Sequence, residues 1–152
     1  MSRHNISHET IIEAPIDLVW KELIAIDDWE WNRWTRLKAT EPVEGTSGKL
    51  MASYEGDDKW QEFDFTFGPV NESSHILTWQ GSVAGGCLFS GYHTMQLESV
   101  KEGQTKLIHK EQFGGLLPMI GAGLPYKTLN RNYLLMNESL KDNVEKKAKN
   151  KT

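Results

Sequence analysis

The last third of the chain, TKLIHKEQFGGLLPMIGAGLPYKTLNRNYLLMNESLKDNVEKKAK, constrains the fold most. Thr105, Leu107, His109, Glu111 and Phe113 alternate with Lys106, Ile108, Lys110 and Gln112. A period of two belongs to a strand, and here it collects Leu, Phe, a His and a Glu on one face. After Gly114-Gly115 the spacing becomes helical, with Tyr126, Leu129, Asn130, Tyr133, Asn137, Leu140 and Val144 on one side. An apolar sheet face holding two titratable groups under a long helix implies a container with a polar floor.

The rest of the chain supplies the walls. Residues 5–14 read as a strand rich in β-branched residues, ended by Pro15. Pro15-Ile16-Asp17 then opens a helix whose Ile16, Val19, Trp20 and Leu23 share a face. A second short helix is expected over Asp27–Asn32, capped by Asp27 or Asp28. From Arg36 the pattern predicts strands at 36–43, 48–55, 60–68, 75–82, 86–99 and 105–113. Gly, Asn, Asp and Pro mark the turns between them, and such short connections favour an antiparallel meander. A long helix follows over 116–145, with Gly121, Gly123 and Pro125 predicting a kink or a late start. The order is strand, two short helices, six strands and a long helix, an α+β fold with one curved sheet and a helix across its concave face.

Length and charge exclude several classes. A chain of 152 residues fits one domain, expected over 1–147, with 148–152 a fraying Lys-rich tail; about 70% of its unfolded surface can be buried without a metal or disulfide staple. Cys87 is the only cysteine, so no internal disulfide forms and a reducing, cytoplasmic location is expected. The net charge is −4 with no basic stripe, which argues against nucleic acid. No apolar run approaches about 18 residues, and the N-terminal residues carry no signal-peptide apolar region.

Four of the six tryptophans, Trp20, Trp29, Trp31 and Trp34, fall between residues 20 and 34. They serve either as ordinary core or as an aromatic wall, because Trp is unfavourable to leave wet.

Several phrases run in order along almost the whole chain. They are Ile12-Glu13-Ala14-Pro15 with Val19-Trp20, then Trp31-Asn32. Later come His109, Glu111, Phe113 and Gly115-Leu116, and finally Met136-Asn137, Leu140-Lys141 and Val144-Glu145. Together they resemble the START-like (SRPBCC) superfamily with its polyketide cyclase/dehydrase and birch-pollen-allergen branches. The resemblance implies a helix-grip fold with a cavity between the sheet and the last helix. It also implies apolar or amphipathic ligands such as lipids, sterols or polyketides. Some relatives catalyse cyclisation or dehydration and others only bind.

The register of the last two strands can be read from their turn. A three-residue connection, Lys101-Glu102-Gly103, sets His93 opposite Glu111, Met95 opposite His109 and Leu97 opposite Leu107. His93, His109 and Glu111 then cluster on the cavity floor. Four readings of that cluster stand together: a hydrogen-bonded structural group, polar anchors for a ligand, an acid–base pair, or a metal site of two His and one carboxylate. No metal or cofactor is expected, since strand spacing alone does not make a facial ligand set.

The expected pocket is walled by Trp31, Trp34, Phe65, Trp79, Phe89, Phe113 and Tyr126. His93, His109 and Glu111 give it polar contacts, Asn130 lies near its portal, and the segment 114–125 serves as entrance or lid. The partner expected is a hydrophobic small molecule. An enzyme acting on a polyketide-like substrate, with Glu111 and His109 or His93 as acid–base groups, is the alternative. A module that binds another protein through the lid is the third possibility.

Overall fold

Proline and asparagine set the two early corners. Pro15 ends strand β1 (Ile6–Ile12) and starts helix α1 (Ile16–Ile24), which buries Val19, Trp20 and Leu23. A 3-10 helix, Ile26–Trp31, stands where the second short helix is expected. At its end the Asn32 side-chain carbonyl accepts from the backbone N–H groups of Trp34 (3.0 Å) and Thr35 (2.9 Å). These bonds turn the chain into the sheet.

The computed structural model describes residues 5–83, 87–119 and 125–150. The sheet strands are β2 (Thr35–Lys38), β3 (Ser47–Ala52), β4 (Gln61–Asn71), β5 (Ile76–Val83), β6 (Phe89–Lys101) and β7 (Gln104–Gly114). With β1 they form one seven-stranded antiparallel sheet, ordered β1-β7-β6-β5-β4-β3-β2 and curled into a half-barrel. The first strand thus pairs with the last. Strand β2 ends four residues before Pro42, while β4 continues past Pro69 by means of a bulge between Phe67 and Val70.

The β6–β7 register is the one the alternation predicts. His93 faces Glu111, Met95 faces His109 and Leu97 faces Leu107. The connection differs in detail: Lys101 pairs with Gln104, leaving a two-residue turn, and a bulge lies between Ser99 and Lys101. The bulge supplies the residue that the turn lacks, so the register is preserved. Gly103 takes φ +77°, a left-handed conformation that suits glycine.

After β7 comes one short turn of helix, α2 (Leu116–Met119), and then α3 (Tyr126–Asn150). The regular helix therefore starts late, directly after Pro125. The interrupting Gly121 and Gly123, and the tip of the expected lid, lie at 120–124, outside the described residues. The turn at Gly85-Gly86 does as well. Helix α3 continues through Asn150, into the segment expected to fray. Its buried stripe, Tyr126, Leu129, Asn132, Tyr133, Met136, Asn137, Leu140 and Val144, lies on the concave face of the sheet. No described helix is long and apolar enough to cross a membrane.

The apolar interior falls into two clusters. The larger joins Val19, Leu23 and Trp29 to Leu77, Met95, Leu97 and Leu107 of the sheet and to Met136, Leu140 and Val144 of α3. The smaller gathers Ile6, Phe89, Phe113, Tyr126, Leu129 and Tyr133 at the other end of α3.

Candidate functional site

Alternation sends odd-numbered residues of β5, β6 and β7 inward, and their sizes decide what the interior becomes. Strand β5 presents Leu77, Trp79 and Gly81, and β6 presents Leu97, Met95, His93, Gly91 and Phe89. Large residues at one end fill the space beneath α3. At the other end Gly81 pairs with Gly91, and a patch of bare backbone is left.

A cavity opens over that patch. Its lining includes Leu50 and Ala52 of β3, Phe63 of β4, and Trp79, Gly81 and Ser82 of β5. Phe89, Gly91, His93 and Glu111 form the adjoining wall, while Leu129, Asn132 and Tyr133 of α3 form the roof. Trp34, Thr35, Ser53 and Tyr54 complete it. The space free of protein atoms is ≈ 610 Å³, part of it open to solvent. In this conformation there is room for a few waters or for part of a compact ring.

Glu111 is the chemical centre of the lining. It is 6% exposed, and its Oε1 accepts from the Tyr133 hydroxyl at 2.6 Å. Its Oε2 lies 3.0 Å from Nδ1 of His93, itself 3% exposed. A Cβ at Gly91 would come within 2.5 Å of Glu111 Oε2, so the carboxylate occupies room that only glycine leaves. Burial, reinforced by the Glu111 charge, holds the Tyr133 hydroxyl well above the usual tyrosine range, and it stays a donor at neutral pH. His93 stacks on Trp79 at 4.4 Å between ring centroids and 12° between planes.

His109 lies one layer deeper. Its ring centre is 5.0 Å from that of His93, and it is fully buried without lining the cavity. Asn137 donates through Nδ2 to Thr10 Oγ1 (3.1 Å), which leaves its Oδ1 to accept from His109 Nδ1 (2.8 Å). That network assigns the proton to Nδ1. Burial first, and the neighbouring His93 second, hold the His109 imidazole well below its ordinary range. His109 is therefore a neutral ring that backs His93.

Of the residues expected to wall the pocket, Trp34, Trp79, Phe89, His93 and Glu111 line it. Trp31, Phe65, His109, Phe113, Tyr126 and Asn130 do not. Phe65 packs edge-to-face on Phe67 inside the core, and Phe63, two residues earlier, takes the lining position. Trp31 packs against Trp29. Phe113 and Tyr126 pack on each other behind the wall at 5.2 Å. Asn130 is exposed, and its backbone carbonyl accepts from His8 Nε2 at 2.9 Å. Asn132, 1% exposed, takes the inward position and donates to the Tyr54 carbonyl.

Sequence reasoning missed Tyr133 as the partner of Glu111, and it missed Asn132, Tyr54 and the paired glycines. Tyr133 lies four residues from Leu129 on the helical stripe, which is the signal that could have placed it. Among the described residues, no group of three or more His, Cys, Asp or Glu could hold a metal ion.

No family model matches the chain, and no curated protein matches it in sequence. Solved structures do. The chain is similar to Zhui aromatase/cyclase from Streptomyces sp. R1128, at 13% identity and a TM-score of 0.66, over 93% of each chain. It is similar to norcoclaurine synthase from Thalictrum flavum, at 13% identity and a TM-score of 0.62, over 92% of this chain and 85% of that one. It also resembles Ara h 8.0201, at 14% identity and a TM-score of 0.65, over 93% of this chain and 97% of that one. At such identities the likeness is one of fold, and that fold is an α+β helix-grip.

Proposed function

We propose that this protein binds a hydrophobic or amphipathic small molecule in the cavity between the sheet and α3. The observation that carries the reading is an apolar, partly enclosed cavity into which one hydrogen-bonded group, Glu111 with His93 and Tyr133, converges. An apolar pocket with a few convergent polar groups is the usual form of a small-molecule site. The modest free space favours a compact, ring-bearing ligand, sterol fragment or polyketide-like, over a long acyl chain. A norcoclaurine synthase of similar fold has been solved with dopamine and hydroxybenzaldehyde, which supports small aromatic occupants for such a cavity. The proposed setting is the cytoplasm.

Native mass spectrometry of freshly purified protein tests the reading, because a retained ligand reports its own mass. A ligand that binds only the folded state raises stability by RT ln(1 + [L]/Kd). Failure of every aromatic and lipid ligand to raise the melting temperature would sink it.

A second reading is favoured by the short Tyr133–Glu111 hydrogen bond and the adjacent His93. These groups could exchange a proton with a bound substrate, as a cyclase or dehydratase requires. His109 would then act on His93 rather than touch substrate. In that case Glu111→Gln retains the ligand and loses turnover, whereas a pure carrier shows no turnover to lose.

A further inference from the structure

The charge of the cavity lining says more about the occupant than its shape does. Among the described residues no Lys or Arg lines the cavity, and the lining carboxylate is Glu111. Both Glu111 oxygens already face a partner, Tyr133 on one side and His93 on the other. Each oxygen keeps a further lone pair. None of the remaining lining donors is charged: Trp79 Nε1 is a buried N–H without a partner among the described residues, and others are committed. Ser53 Oγ donates to Asp57 and Asn132 Nδ2 to the Tyr54 carbonyl. Arg131 donates through Nη2 to Oδ1 of the lining residue Asn132 at 3.4 Å, but its side chain is 57% exposed and lies 3.9 Å from Glu55.

The turn after the lining residues Ser53 and Tyr54 adds to this bias. It carries Glu55, Asp57 and Asp58 against Lys59. An anion arriving there meets like charge before it meets the buried carboxylate, and a carboxylate brought against Glu111 finds an acceptor where it needs a donor. The floor beside Glu111 is low in side chains, with the carboxylate itself over Gly91 and the cavity open over Gly81. Gly81 and Gly91 are paired neighbours in the sheet, and the stacked Trp79–His93 pair adjoins them two residues along each strand.

We propose that the cavity selects a planar ring carrying a hydrogen-bond donor, neutral or cationic, whose donor meets the free lone pairs of Glu111. Carboxylate- and sulfate-bearing amphiphiles, fatty acids included, are rejected. This rests on the binding reading above and narrows it to one chemical class.

The test is a matched series on one ring, measured by calorimetry on the full chain: naphthalene, 2-naphthol, 2-naphthylmethylamine and 2-naphthoate. The naphthol and the amine should each bind about tenfold or more tighter than the naphthoate, the effect of one hydrogen bond to a charged group. The ratio between naphthol and amine tells a neutral preference from a cationic one. In Glu111→Gln the advantage over naphthoate should collapse. Should that variant not fold, Gly91→Ala, whose methyl would press on the carboxylate, serves the same purpose. If the naphthoate binds as tightly as the naphthol, the donor rule is overturned and the binding reading survives. If none of the four binds, the donor rule is overturned, and the binding reading then stands or falls on the wider ligand panel above.

Discussion

The two ends of the interior share the same strands and the same helix, yet one is solid and the other open. Under the C-terminal half of α3, Leu77, Met95, Leu97 and Leu107 are at most 2% exposed and meet Met136, Leu140 and Val144. Under its N-terminal half the corresponding strand positions are Gly81, Gly91 and Glu111; the Glu111 carboxylate covers Gly91, and the cavity opens over Gly81. The cavity is thus made by leaving side chains out, not by moving backbone apart. His93 and His109 sit at the boundary, where a polar ring can pack on one side and hydrogen-bond on the other.

Emptying the solid end should have the largest effect. Leu107→Ala removes a fully buried side chain and should cost about 3 kcal/mol, by lost transfer energy plus the void left behind. Urea denaturation measures it, and a loss below about 1 kcal/mol would mean that this end is not tightly packed.

The boundary should respond to acid. His109 is held below its ordinary range when folded, whereas the unfolded chain returns it to about 6.5. Below that pH the unfolded state binds more protons. Stability therefore falls as pH drops, with a slope of at most about 1.4 kcal/mol per pH unit from this group. Denaturation at about pH 7.5 and 5.5 on wild type and His109→Gln isolates the contribution, and equal slopes in both would remove His109 from the account.

Filling the open end should have the smallest effect on stability, with the opposite sign. A Cβ at Gly81 would lie 3.7 Å from Leu50 Cδ2 and 3.8 Å from the Asp64 carbonyl oxygen, ordinary contacts. Gly81→Ala should stabilise by about 0.5 kcal/mol through the lost freedom of the unfolded chain, while ligand affinity weakens because the methyl enters the cavity. A variant that gains stability and keeps its affinity would show that the ligand does not use this patch.

Much of the arrangement is legible in the sequence. His93 facing Glu111 follows from the alternation and the position of the Gly103 turn, and the bulge at that turn restores the register a shorter loop would have shifted. Which aromatic reaches the cavity was not legible. Phe63, Phe65 and Phe67 share one face, and only the tertiary packing that takes Phe65 and Phe67 into the larger core separates them from the lining Phe63. The choice between Asn130 and Asn132 is of the same kind. The buried stripe of α3 is broad, and the rotation of the helix decides which of two nearby asparagines is covered.

The sequence by itself determined the order of elements, the inward face of each strand and the pairing of the last two. Those depend on local alternation and turn chemistry, which act over a few residues. Tertiary structure alone decided that Tyr133 meets Glu111, that His109 backs His93 instead of lining the cavity, and that two glycines on neighbouring strands make room for the Glu111 carboxylate and the cavity beside it. These depend on how a curled sheet and a helix from distant parts of the chain come together, and no short stretch of residues encodes that distance.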